Sequence, residues 1–205
     1  VLEEVRSLLA TREQLVGQKT QHKNALSSLG RKVVKPRLAE KTHREMIAHL
    51  TAAIKAIEDE LHRLIDNHST FKPMLALLCS VPGVGMLLAA QLLCLTHGAL
   101  QPLNAKQLAA HLGIAPLCYQ SGKSVYAKPH SRGFGHPTLR KLLYLAALSA
   151  RQHAPDFTAY FERLLKRGKA KRLIINNIEN KLLRVICAVV NSKQPFIENY
   201  NLLLS

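Results

Sequence analysis

GIAPLCYQSGKSVYAKPHSRGFGHPTLRKLLYLAALSAR, residues 113–151, decides how the chain is read. Gly113 follows an apolar run and is a natural helix stop. Pro116 keeps the next residues extended. CYQSGKSVYAK, 118–128, has turn residues at its centre and Tyr and Val on either side, the pattern of a small β-hairpin. The stretch from Pro129 to His136 is basic and glycine-rich. Pro137 then opens a helix to about His153, because a first-turn proline loses no needed hydrogen bond. Ser121 and Ser124 lie in the loop with Gly122, Lys123, Lys128, His130, Ser131, Arg132 and Gly133. A small hydroxyl beside glycine and among cations suits a phosphate. The glycine lets backbone approach, and the cations neutralise the oxygens.

Upstream, PMLALLCS (73–80), VPGVG (81–85) and MLLAAQLLCLT (86–96) predict helix, turn, helix. This is the pattern of a helix-hairpin-helix. Gly83 and Gly85 would expose backbone N–H groups at a helix N-terminus, where the dipole favours a DNA phosphate. A tight turn between core helices is the plain alternative. Asn104 can cap the short helix AKQLAAHL, ended by Gly113.

The first 66 residues read as two long helices. Residues 1–29 carry an imperfect apolar stripe, with Gly30 as the expected stop. RKVVKPR, 31–37, is a basic connection broken by Pro36. In the second helix, 38–66, Ile47, Leu50, Ile54, Ile57, Leu61 and Leu64 alternate three and four apart, a heptad seam. The two helices predict an antiparallel hairpin, used either as an internal strut or as a seam shared with a second copy.

Downstream, Pro155 and Asp156 begin a helix closed at Gly168, and KAKR (169–172) is a basic corner. A last helix, Leu173 to Val190, is apolar enough to be largely buried, Leu173 included. The tail 191–205 reads as extended.

Net charge is +16 over 205 residues, from 29 basic and 13 acidic side chains. Residues 1–66 hold 12 basic and 9 acidic residues, while 119–172 hold 12 basic residues against only Asp156 and Glu162. Such a concentrated excess favours nucleic acid as partner over a small acidic substrate. A binder without chemistry has the same signature. The four cysteines, Cys79, Cys94, Cys118 and Cys187, form no CxxC pair, which argues against a zinc ribbon. Cys79, Cys94 and Cys187 sit in apolar runs and are expected to be buried thiols, consistent with a reducing cytoplasm. No signal peptide or membrane span is expected. The chain begins at Val1, so a fragment or trimmed product is anticipated.

Three kinds of side chain could carry chemistry. The acids after residue 67 are Asp156, Glu162, Glu179 and Glu198, too scattered for a two-metal nuclease, so no metal site is assigned. Tyr119 and Tyr126 flank the loop, where packing or base stacking is their commoner use. Ser121, Ser124 and Ser131 lie in its most basic part, with Lys123, Lys128, His130, Arg132 and Arg140 as the cations around them. Serine needs an activating base or field to attack. On residue chemistry alone, phosphate binding outweighs nucleophilic attack.

VPGVGMLLAAQLL, AKQLAAHLGIAP, QSGKS, SRGFGHPTLRKLLYLAALSA, APDFTAYFERLLKRGKAKR and NKLLRVICAVV resemble successive blocks of one insertion-sequence transposase family. Its members join a resolvase-like domain with a DEDD acidic motif, a coiled coil, and a C-terminal domain with a catalytic serine. They are recombinases guided by a structured bridge RNA. The resemblance spans about residues 75–195. It implies Ser121 as nucleophile, with Ser124 in reserve, because the family's serine follows an Ala-Pro pair matched by Ala115 and Pro116. Ser131, Arg132, Gly133 and Arg140 match the family's basic block and imply phosphate or DNA contacts. No cofactor is implied in this chain. Magnesium is implied for the resolvase-like domain, whose acids these 205 residues lack. A C-terminal part, a decayed copy or a non-cutting binder would each fit that departure.

The expected architecture is mainly α: a coiled-coil helical hairpin, 1–68, then a helical transposase domain, 69–205, with a helix-hairpin-helix and a small β-hairpin. The expected activity is DNA cleavage and rejoining, with DNA, a guide RNA and a second copy as partners. The rivals are a non-catalytic nucleic-acid-binding module and an oligomerisation scaffold.

Overall fold

A computed structural model describes residues 1–34, 36–98, 102–121, 125–131 and 134–198, with residues 117–121 and 125–131 described by backbone alone. Among the described residues there are eight helices and one two-stranded sheet, so the chain is mainly α, as expected. It divides into two compact units, Val1–Lys72 and Pro73–Ser205.

The first unit is a helical hairpin of α1 (Leu2–Gly30) and α2 (Arg37–Asp66). Arg12 pairs with Glu58 at 2.7 Å, and the Nδ1 atoms of His22 and His43 meet at 2.9 Å. Partner numbers rise on one helix as they fall on the other, so the helices are antiparallel. The apolar seam closes at Val5 and Leu9 on α1 and at Leu50, Ile54, Leu61 and Ile65 on α2. Three of the six heptad positions are buried. Ile47, Ile57 and Leu64 stay half-buried, and Ile65 takes the inner place at the helix end. A single partner helix covers only part of a heptad face. Gly30 is not a left-handed stop. It belongs to α1, and Arg31 ends the helix in right-handed conformation, its N–H donating to Ser28 O at 3.2 Å. A tightened last turn satisfies the terminal carbonyls without a glycine cap.

The second unit is built around α8 (Lys171–Ser192), which packs against α5 (Ala105–Leu112), α6 (Pro137–His153) and α7 (Pro155–Lys166). Ile174, Ile178, Leu182 and Ile186 form its fully buried row, four residues apart. Leu173, expected inside, is 47% exposed, because its position on the first turn points off that row. The helix ends are tied down by side chains. Asn191 accepts from Leu103 N at 2.8 Å and donates to Leu103 O at 2.9 Å. Ser80 Oγ accepts from Phe196 N at 2.8 Å.

α3 (Phe71–Cys79) and α4 (Met86–Leu95) flank the VPGVG turn. Gly83 has φ +82, and a Cβ there would lie 2.3 Å from Ala146 O of α6. Its lack of a side chain therefore lets the turn pack on a helix backbone. Cys94 and Cys187 are buried, and burial pushes the Cys187 thiol up to about 11. Cys79 is exposed, against expectation, because it occupies the outer side of the last turn of α3.

Candidate nucleic-acid interface

The polar stretch that follows α5 is anchored by backbone contacts. Asn104 caps α5 by accepting from Lys106 N and Gln107 N, and Gly113 ends it in left-handed conformation, φ 73. Ile114 is then buried. A Cβ on Gly113 would lie 1.7 Å from Phe134 O, and a Cβ on Gly135 (φ 124) would lie 2.6 Å from Leu112 O. The two chain segments entering and leaving the hairpin thus meet backbone to backbone, through two glycines. His136 caps α6, its Nδ1 accepting from Leu139 N at 3.3 Å, and Pro137 occupies the first turn as expected. From α8, Asn180 Nδ2 donates to Ile114 O at 3.5 Å.

Between those segments rise β1 (Pro116–Ser121) and β2 (Val125–Ser131), antiparallel, with Pro116 opposite Ser131 and Ser121 opposite Val125. The hairpin is longer than the 118–128 read from sequence. Its register shifts between Leu117 and Tyr119. β2 has one more residue there, around Lys128 and Pro129. A bulge accommodates a proline, which brings no N–H to the ladder. Ser121 is the last paired residue of β1, and Lys128, His130 and Ser131 lie on β2. Ser124, Gly122, Lys123, Arg132 and Gly133 fall outside the described residues.

At the hairpin's base, α6 and α8 line a cleft of about 810 Å³ together with Gly113, Ile114 and Pro116. Arg140, Lys141 and Tyr144 come from α6, and Arg172, Asn176 and Glu179 from α8. The spacing explains the convergence: 140, 141 and 144 share one helical face, as do 172, 176 and 179. Arg140 also donates to Phe134 O at 3.4 Å, so it links the cleft to the hairpin's root. Glu179 is the one buried charged residue among the described residues, 5% exposed. Burial raises its carboxyl to about 7, and the positive charge of Arg140 opposes that rise.

Sequence reasoning selected Arg140 but passed over Glu179 and Asn176. Glu179 was counted among scattered acids. The available signal was its place on the stripe Ile175, Glu179, Leu182, Ile186, an acid on an apolar helix face. Gly83 and Gly85 lie in the turn before α4, and Gly85 is its N-cap, with open space around a would-be Cβ. Among the described residues no three His, Cys, Asp or Glu side chains are grouped to hold a metal. No described helix is long and apolar enough to cross a membrane.

Residues 75–162 match the transposase IS116/IS110/IS902 family. The pilin gene-inverting protein of Moraxella lacunata is 32% identical over 152 residues, which cover 73% of this chain and 47% of that protein. An uncharacterised 43.6 kDa protein of insertion element IS110 from Streptomyces coelicolor is 28% identical over 66% of this chain and 32% of its own length. An uncharacterised 42 kDa protein of insertion element IS900 from Mycobacterium paratuberculosis is 25% identical over 71% and 37%. The chain therefore spans between about a third and a half of these relatives. The matched segment runs from α3 into α7 and takes in the hairpin, its glycine root and the α6 wall of the cleft. Over residues 75–162 the chain is thus similar to the transposase IS116/IS110/IS902 family.

Proposed function

We propose that the chain serves DNA recombination, binding DNA and contributing the nucleophile for strand cleavage and rejoining. Ser121 is the attacking residue and Ser124 its reserve. The Ser121 hydroxyl attacks a phosphodiester, its proton passes to solvent or a neighbouring base, and the bond to one sugar oxygen breaks. That oxygen leaves as a hydroxyl, and the strand is held as a phosphoserine ester. A hydroxyl from the partner strand then attacks the ester, restoring serine and the DNA bond. One ester is exchanged for another, so no ATP is consumed.

Lys123, Lys128, His130, Ser131, Arg132 and Arg140 hold phosphate oxygens in this reading. Gly122 and Gly133 let backbone approach, and Gly83 and Gly85 form the phosphate-facing turn of a helix-hairpin-helix. A resolvase-like domain carrying acids and magnesium, a structured guide RNA and a second copy paired through α1 and α2 complete the machine. The carrying observation is the transposase-family match across the hairpin segment. The basic excess over 119–172 adds to it.

The test is a suicide DNA substrate incubated with the complete protein, guide RNA and magnesium. The expected result is a covalent protein–DNA adduct, lost in Ser121→Ala and kept in Ser124→Ala. An adduct with the opposite dependence transfers the role to Ser124. Salt-sensitive DNA binding without any adduct would leave a non-catalytic nucleic-acid-binding module.

A further inference from the structure

We infer that the half of the helical hairpin that holds its turn is a second nucleic-acid surface, where Lys23, Arg31, Lys32, Arg37 and Arg44 meet the phosphates of a duplex. This rests on the reading of the chain as a DNA-binding protein, and it puts a contact on the first unit in addition to the serine-bearing loop.

Charge is divided along the hairpin. The pairing of Arg12 with Glu58 and of His22 with His43 places residues 18–46 in the half with the turn. That half has eight basic residues against only Glu40 and Glu45, a net of +6. The other half, residues 1–17 and 47–66, has four basic residues against seven acidic ones, a net of −3. Ion pairing follows the same division. In the acidic half Arg6, Arg12 and Arg63 each meet a carboxylate. In the basic half only Lys41 does so among the described residues, with Glu45 at 3.8 Å. Lys23, Arg31, Lys32, Arg37 and Arg44 are exposed, and none of them meets a carboxylate among the described residues.

Cations gathered without counter-charges repel one another, and a polyanion relieves that repulsion. Length favours a duplex over a small anion. From residue 18 to residue 30, α1 runs about 20 Å at about 1.5 Å per residue. A duplex offers about twelve charges over that distance, at one per about 1.7 Å, whereas a small anion neutralises one or two cations. Apolar side chains stand among the charges: Val33 is 101% exposed, Val34 77% and Leu38 78%. They give the sugars beside the phosphates an apolar surface to rest on. Two copies meeting turn to turn would set like charges together, which disfavours that partner at this place.

The experiment measures binding of the full chain to a short duplex by fluorescence anisotropy over a range of salt concentrations. Two triple variants remove equal charge from the two halves: Arg31→Gln, Lys32→Gln, Arg37→Gln at the turn, and Arg6→Gln, Lys55→Gln, Arg63→Gln in the acidic half. Each lost phosphate contact lowers the slope of log affinity against log salt by about 0.9. The turn variant should therefore lose about 2–3 from the slope and bind at least about 10-fold more weakly near 0.1 M salt. The other variant should keep the slope and stay within about 2-fold. The three turn residues are exposed, and circular dichroism checks that both variants keep their helices. A DNA duplex and an RNA duplex of one sequence, run in parallel, tell which nucleic acid supplies the phosphates. Equal weakening by the two variants would mean that net charge acts and no surface exists, which overturns the inference. An unchanged slope in the turn variant overturns it as well, and leaves the chain's DNA binding to the loop. Loss of self-association in the turn variant, read by sedimentation velocity with duplex binding intact, would give the turn to a second copy instead. Absence of any duplex binding by the unaltered chain would remove both this surface and the reading it rests on.

Discussion

Gly113→Ala and Gly168→Ala form a matched pair for weighing the hairpin's root. Both glycines hold nearly the same left-handed backbone, φ 73 and φ 75. An alanine at either site therefore carries a similar conformational penalty, about 1–2 kcal/mol. Their surroundings differ. Nothing lies within 4 Å of a Cβ at Gly168, whereas one at Gly113 would lie 1.7 Å from Phe134 O and 2.9 Å from Phe134 C. Real Cβ atoms essentially never come within 3.0 Å of such a neighbour, so the two strands' entry and exit must separate by about 1 Å. Forced overpacking of that kind costs about 1–3 kcal/mol. The expected loss is about 1–2 kcal/mol for Gly168→Ala and about 2–5 kcal/mol for Gly113→Ala. In urea, with a slope of about 2 kcal/mol/M, the second variant should unfold about 1 M earlier than the first. Far-ultraviolet circular dichroism is the assay, because the chain has no tryptophan and is mainly helical. Equal midpoints for the two variants would refute the clamp: the contact at Phe134 would then have no energetic weight.

Glu179 gives the second unit a pH signature. Its carboxyl goes from an ordinary 4.5 to about 7 on folding, mainly through burial. A raised value means that stability is fully present below the unfolded value and is lost as pH rises through 7. The ideal loss is about 3 kcal/mol, reduced to about 1–2 kcal/mol because the carboxyl faces an open cleft. Glu179→Gln should flatten this fall between pH 5 and 8 in thermal unfolding, and parallel pH curves for the two proteins would contradict the assigned burial. In the first unit, Arg12→Ala, Glu58→Ala and their combination should reveal a coupling of about 1 kcal/mol, reduced in high salt. A coupling near zero would mean that the 2.7 Å ion pair adds nothing to the hairpin.

Local constraints were legible in the sequence. Gly113, Asn104 and Pro137 each solve a problem confined to one turn: a left-handed backbone, orphan donors, a missing N–H. Those residues fixed the ends of α5 and the start of α6 before any packing was known. The heptad spacing likewise marked the face of α2 that meets α1. What escaped depends on which neighbour covers a residue. Cys79 and Leu173 are apolar in apolar runs, yet both are exposed among the described residues. Ile65, not Leu64, is inside at the end of the hairpin where α1 starts. Gly113 read correctly as a helix stop, but its contact with Phe134 joins positions 21 residues apart. The candidate site shows the same division. Its basic loop is written in consecutive residues, while the cleft combines α6 and α8, about 35 residues apart, and only folding brings Arg140 near Glu179.

The helical hairpin has its sealed layers gathered toward one end. Val5, Leu9, Leu61 and Ile65 lie near the chain's start and the exit of α2, and Leu50 and Ile54 reach the middle. Beyond them, from residue 10 outward on α1 and before residue 50 on α2, no side chain is buried, and the two histidine rings are the main cross-link. The arm is therefore pinned in two different ways: apolar layers seal the end where α1 starts and α2 finishes, and the covalent connection from Gly30 to Arg37 closes the other.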